Sequence, residues 1–305
     1  MADLYTEYRP EDWPEFRNLL WMLSVGDWVF RGQRDANWPI SSTLERSIPS
    51  SLMKGVEHDK DLKAAVGRYL EMMEDPLFKR FGERIDQYVG PEAGADSLLG
   101  RMALMQHHGV PTRLVDFTES PYVAAFFAVE DARDPEAECA IWVIDYTWCW
   151  KKSAQAVRRE TKISREKFPD DVNFSNEDVL LETIFNMELP LVVPLRPSRL
   201  NERIASQQGM FLCPGEMNIP FMENLYALDK KELPDTLLKI VFPASWRGLI
   251  LYDLRSMNIG PHTLFPGLDG YARWVKLQLD LDYAYDQVEE EFRRYTGAPG
   301  AQSVS

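Results

Sequence analysis

The segment Val123-Ala124-Ala125-Phe126-Phe127-Ala128 limits the possible folds more than any other stretch of the chain. It is apolar all the way round a helical turn, so a helix from Tyr122 to about Asp131 must be buried on most sides. Pro121 suits the first turn of that helix, with Thr118 or Ser120 as its cap. Burying the helix also draws the preceding residues, Pro111-Thr112-Arg113-Leu114-Val115-Asp116-Phe117-Thr118-Glu119-Ser120, against the core. Polar groups held there need partners, which makes this junction a candidate site.

Strands and helices are legible on both sides of it. Trp13, Phe16, Leu19, Leu20 and Leu23 recur at helical spacing after Asp12 and Pro14, and Gly26-Asp27 turns the chain into a short strand, Trp28-Val29-Phe30, that leaves Arg31 near its end. Residues 59–88 carry helical periodicity broken at Asp75-Pro76, which predicts two helices with a bend. A helix from Ala95 to His108 is stopped by Gly109 and Pro111. Cys139 to Tyr146 has the pattern of a central strand, whereas Trp148 to Asp171 reads as an insertion or mobile loop with helical pieces. Further on, the pattern predicts a helix over 176–187, strands at 191–193, 209–212 and 237–242, and helices at about 245–257 and 267–279. A polar tail at 296–305 is expected to be disordered.

Composition narrows the classes. With 305 residues, 45% hydrophobic and 27% charged, the chain has ample material for one large core, and no Gly/Ser-rich or Pro-rich linker divides it. The expected organisation is a helical lead-in at 1–20, one main domain at 21–278, and a helix end with the tail at 279–305. No apolar run is long enough for a membrane span and the N-terminus lacks a leader pattern, so a cytoplasmic protein without a membrane partner is expected. Three cysteines without Cys-x-x-Cys spacing indicate buried free thiols. A net charge of −14 disfavours broad, non-specific nucleic-acid binding, though it leaves room for a local basic cleft. Dinucleotide-fold glycine patterns, phosphate-binding loops and zinc-protease motifs are absent from the sequence.

Four clusters carry chemistry. In Arg31-Gly32-Gln33 a guanidinium suited to bidentate grip of phosphate or carboxylate is followed by a residue without a side chain, where a ligand can approach the backbone. The plainer reading is a strand ending in a salt bridge. In Gln106-His107-His108-Gly109-Val110-Pro111-Thr112-Arg113-Leu114-Val115-Asp116-Phe117-Thr118 the readings are His–Asp acid/base chemistry, metal ligation, or a polar wall round a cofactor, set against a buried hydrogen-bond network. Metal is the weakest of these, because adjacent His107 and His108 diverge on a helix. Arg203 to Phe211, containing Gln207-Gln208-Gly209, forms a helix-to-strand junction. Leu264-Phe265-Pro266-Gly267-Leu268-Asp269-Gly270 reads as a helix-entry turn.

In order and spacing these blocks resemble the FRG family, named for the Phe-Arg-Gly that stands here as Phe30-Arg31-Gly32, with Trp38 and Leu44 also matching. The resemblance implies an α+β fold: an ADP-ribosyltransferase-like split mixed sheet with flanking helices and a helical insertion. It also implies NAD as substrate and a toxin or anti-phage role, with RNA, DNA or protein as acceptor and an antitoxin as possible partner. Arg31 matches the arginine that binds NAD, Thr118 the hydroxyl element, and Gln207 or Gln208 the third element. Gly32, Gln33, His107, His108, Thr112, Arg113 and Tyr122 are further expected NAD-binding positions. The third block departs from that pattern in having no acidic pair, so the negative group must come from elsewhere, with Asp116, Glu119 and Glu202 as candidates. Three classes follow: an ADP-ribosyltransferase, a non-catalytic nucleotide sensor, and a hydrolase or nuclease using His107 or His108 with Asp116.

Overall fold

The computed structural model describes residues 4–48, 60–88, 97–161, 164–165, 168–170, 189–196, 202–279 and 293. Its strands are β1 (Thr6–Tyr8), β2 (Trp28–Gln33), β3 (Val115–Thr118), β4 (Glu138–Asp145), β5 (Val192–Leu195), β6 (Gly209–Pro214) and β7 (Leu237–Pro243). All seven lie in one open sheet, ordered β1-β7-β4-β2-β3-β6-β5. β1 runs parallel to β7 and every other neighbouring pair is antiparallel. The chain is therefore α+β with a mixed sheet, and the described strands show no split. Around the sheet lie α1 (Trp13–Leu23), α2 (Lys60–Gly82), α3 (Leu98–His107), α4 (Pro121–Val129), α5 (Tyr146–Thr161) and α6 (Arg247–Ser256), with shorter helical turns between them.

The central strands are buried on both faces, which explains their unbroken apolar sequence. On β4, Ile141 and Val143 join the core beneath α1, α4 and α6, while Trp142 and Ile144 face the opposite core. β2 divides the same way, Phe30 to one side and Val29 to the other. The α4 helix lies directly on β2. Ser120 caps it, accepting from the Val123 amide at 3.3 Å, and Pro121 opens its first turn. Ala124, Ala125, Phe126, Ala128 and Val129 are all fully buried. Burying a side chain the size of Phe126 contributes about 1.5–3 kcal/mol.

Gly32 is where this packing is tightest. A Cβ there would stand 1.9 Å from the Ala124 carbonyl oxygen and 2.6 Å from the Ala128 nitrogen. The close backbone approach expected of a ligand is thus made by α4 itself, which corrects the reason assigned to this glycine. Gly109 also meets expectation as a helix terminator, with a φ of +77° just beyond α3.

Two segments depart from the sequence reading. Residues 60–82 form one helix with Pro76 inside it, where the periodicity predicts two helices with a bend. A buried pairing anchors it: the Arg113 guanidinium donates from Nε to Glu74 Oε2 at 2.6 Å, both side chains being 5% exposed. Of the stretch 148–171 that reads as an insertion or mobile loop with helical pieces, the part up to Thr161 belongs to the long helix α5, which buries Trp148, Cys149, Trp150, Ser153, Ala154 and Val157, exposes Lys151 and pairs Lys152 with Asp229. Arg31 sits fourth in a six-residue strand, since pairing with β4 carries β2 on to Gln33. The three cysteines are buried and free. The helix expected at 176–187 and the tail at 296–305 lie outside the described residues.

Candidate functional site

Arg31 projects from the middle of the sheet toward a cavity of about 340 Å³. Its Nη1 donates to the Asp116 carbonyl on neighbouring β3 at 2.8 Å. Its Nε is buried and has no hydrogen-bond partner among the described residues. Burial pushes this guanidinium down to about 10, with Asp116 supporting its charge and Arg46 opposing it, so it remains cationic at neutral pH. On the same wall Gln106, at the end of α3, accepts from Thr112 Oγ1 at 2.6 Å while its Nε2 is buried and unpartnered among the described residues. Arg31 and Gln106 both line the cavity, and each keeps one buried donor without a partner among the described residues, at a cost of about 1–3 kcal/mol if nothing accepts from it.

His107 closes α3 on the cavity side. Burial first, then Arg203 and His108, lower its pKa, which keeps the imidazole neutral at pH 7. Thr118, 5% exposed, donates from Oγ1 to the Gln207 carbonyl at 2.7 Å and accepts from the Ser120 amide at 3.0 Å. That hydroxyl ties the end of β3 to the turn before β6, so its proton is already committed within the protein. Gln207 donates from its amide to the Leu264 carbonyl at 2.9 Å, which brings the fourth sequence block against the third. Arg203 enters from the short helix Glu202–Ser206 with its guanidinium over the Phe265 ring, 5.0 Å from the centroid. Burial lowers the Arg203 pKa, against the support of Asp116 and Glu130.

Six of the residues singled out in the sequence therefore meet on one cavity: Arg31, Gly32, His107, Asp116, Thr118 and Gln207. The others are placed elsewhere, and each has a structural reason. Gln33 is buried beside the cavity, bridging the Trp142 indole at 2.9 Å and the Pro39 carbonyl at 3.1 Å. Thr112 packs against Thr43 and Gln106, and Arg113 is engaged by Glu74. His108 caps α3 in an exposed position, its ring edge-on to His107. Tyr122 lines a separate groove between α1 and α6. Gln208 adopts a left-handed φ of +48° and supplies a backbone carbonyl to the Glu119 amide.

The acids are redistributed as well. Of the three candidates for the missing pair, only Asp116 reaches the cavity. Glu119 pairs with Arg196 at 2.6 Å, and Glu202 is exposed. Glu130 and Asp131, which the sequence does not single out, line the cavity at the end of α4. Burial raises the Glu130 pKa, with Arg273 holding it down and Asp131 pushing it up. A signal was present: two acids at the C-terminal end of a helix oppose its dipole, a placement unfavourable unless something else uses them.

Among the described residues no group of three or more His, Cys, Asp or Glu side chains could hold a metal ion, and no helix is long and apolar enough to cross a membrane. No curated protein and no solved structure matches the chain. One family model does, and its span takes in Arg31, Gln106, His107, Asp116, Thr118 and Glu130 while stopping short of Arg203 and Gln207. Over residues 26–137 the chain is an FRG domain.

Proposed function

We propose that the chain is an ADP-ribosyltransferase that takes NAD as substrate and modifies a nucleophilic acceptor, in keeping with a toxin or anti-phage effector. The observation that carries this reading is the pair of buried, unpartnered donors, Arg31 Nε and Gln106 Nε2, on the cavity that also gathers His107, Gln207 and three carboxylates. A pyrophosphate supplies the acceptor oxygens such donors need, and a guanidinium binds it with charge-assisted hydrogen bonds. The neutral His107 and the Gln207 amide offer hydrogen-bonding groups of the kind a ribose requires.

NAD brings a glycosidic bond whose cleavage develops positive charge on the ribose, as in glycoside hydrolysis. The chain's own contribution is negative charge facing that centre: Asp116, Glu130 and Asp131 supply it without an acidic pair beside Gln207. Glu130, whose proton is held above the ordinary carboxylate range, has the character of a base for the acceptor. The antiparallel strands β2, β3 and β6 would serve as the core of a transferase-like fold, with Arg31 on the first of them.

Purified protein incubated with labelled NAD and a cell extract should transfer label, and Arg31→Ala should abolish transfer. NAD binding with no label transfer and no NAD consumption would favour a nucleotide sensor, the reading that the missing acidic pair beside Gln207 supports. No NAD binding at all would rule out the transferase.

A further inference from the structure

Several arginines of this acidic chain have a carboxylate partner: Arg17 pairs with Asp253, Arg113 with Glu74, Arg158 with Asp170 and Arg196 with Glu119. Arg34 and Arg46 have no such partner among the described residues. Arg34 lies over the Trp38 indole, 5.3 Å from its centroid, and Arg46 donates to the Ser41 carbonyl. Both line a second pocket of about 430 Å³ that adjoins the first and shares Arg31, Gly32, Phe127 and Asp131 with it. Trp38 stands 43% exposed at this pocket, with Arg34 over one face of its indole.

The balance of charge differs between the two pockets. Arg31 and Arg203 share the first cavity with Asp116, Glu130 and Asp131, whereas Arg31, Arg34 and Arg46 share the second with Asp131 alone. Arg34 and Arg46 therefore leave the second pocket with a cationic excess that its single acid does not neutralise. Two guanidinium groups without a carboxylate partner among the described residues, beside a partly exposed indole, have the chemistry that recognises a phosphate joined to a planar base. The volume lies within the range of small-ligand pockets and suits one such unit rather than an extended duplex.

We propose that this second pocket binds a nucleotide unit distinct from the dinucleotide, its phosphate held by Arg34 and Arg46 and its base on Trp38. The unit is either a free mononucleotide or the end of a single strand. Its role as acceptor rests on the transferase reading, whereas its binding does not.

The test titrates fluorescein-labelled short single-stranded RNA and DNA against the full chain by anisotropy, with AMP as competitor, and measures NAD binding in parallel by calorimetry. The Arg34→Ala/Arg46→Ala variant should weaken strand or AMP binding about tenfold or more and flatten its salt dependence. Trp38→Ala should weaken it by about fivefold or more, while NAD affinity changes less than about twofold in either variant. Displacement of the strand by AMP at equal affinity identifies a free nucleotide, and tight strand binding that AMP fails to displace identifies a strand end. Nucleotide binding that depends on Trp38 and Arg46 in a chain that binds no NAD would keep this pocket and discard the transferase. The proposal is overturned if neither strands nor AMP bind, if binding is indifferent to these variants, or if NAD affinity falls in step with them, which would make the pocket part of the dinucleotide site. A phosphoserine peptide that binds where nucleotides do not, unaffected by Trp38→Ala, would also overturn it.

Discussion

Arg31 is held by its neighbours with one of its donors unused. One nitrogen is satisfied by the Asp116 carbonyl and another is buried with nothing to donate to among the described residues. Truncating a charged partner costs about 1.5–3 kcal/mol per hydrogen bond, so Arg31→Ala should weaken NAD binding at least tenfold in calorimetry. Because burial has moved the guanidinium down to about 10, affinity should stay level through neutral pH and fall as that value is approached. Burial shifts Glu130 in the opposite direction. Burial raises its pKa, so the folded chain keeps a proton that the unfolded chain has lost, and this group's contribution to stability declines as pH rises through the folded value. If Glu130 is the base, the acid limb of kcat/KM lies above the ordinary glutamate range and Glu130→Gln removes it together with the activity. Arg273 holds the carboxyl down, so Arg273→Ala should move that limb to higher pH.

The junction of β2 with α4 is the element on which the site depends. Gly32→Ala would drive a methyl group into the helix backbone, where neither partner is a flexible side chain. Overpacking of this kind costs about 1–3 kcal/mol, and the thermal midpoint should fall by an amount that added NAD does not restore. A second expected loss is at α2, where Glu74→Ala leaves Arg113 buried without its carboxylate. Breaking a buried pair costs about 3–5 kcal/mol, measurable as a lower denaturant midpoint. These elements also separate what residue spacing reveals from what it hides. The all-round apolar character of α4 requires burial on its own, and the two buried faces of β4 follow from its continuous hydrophobic run. α5 is concealed because Lys151, Lys152, Arg158 and Arg159 dominate its composition, although Trp148, Cys149, Ser153, Ala154 and Val157 mark one buried face. Pro76 reads as a break, but α2 continues through it, held by Leu70 and Glu74 against the rest of the molecule.

Across the whole molecule, the sheet order places β3 between β2 and β6, and so sets Arg31, Asp116 and the Gln207 turn side by side although the chain separates them widely. A ligand that binds only the folded state stabilises it by about 2.7 kcal/mol at a hundredfold excess over Kd. NAD should therefore raise the thermal midpoint of the wild-type chain and, at the same concentration, raise that of Arg31→Ala by about half as much or less. By itself the sequence determined the apolar helix, the strand leading into Arg31, the capped turn after Gly109 and the FRG motif. Each of these is written in local spacing, in the alternation or continuity of apolar residues, or in residues such as Gly and Pro that restrict the backbone directly. Only the tertiary structure decided which polar residues share the cavity. It sent Arg113 to Glu74 and Glu119 to Arg196, kept Gln33 for the core, and brought in Glu130 and Arg203. Such choices follow from strand order and from competition among buried partners, and neither is recorded in the spacing of residues along one chain.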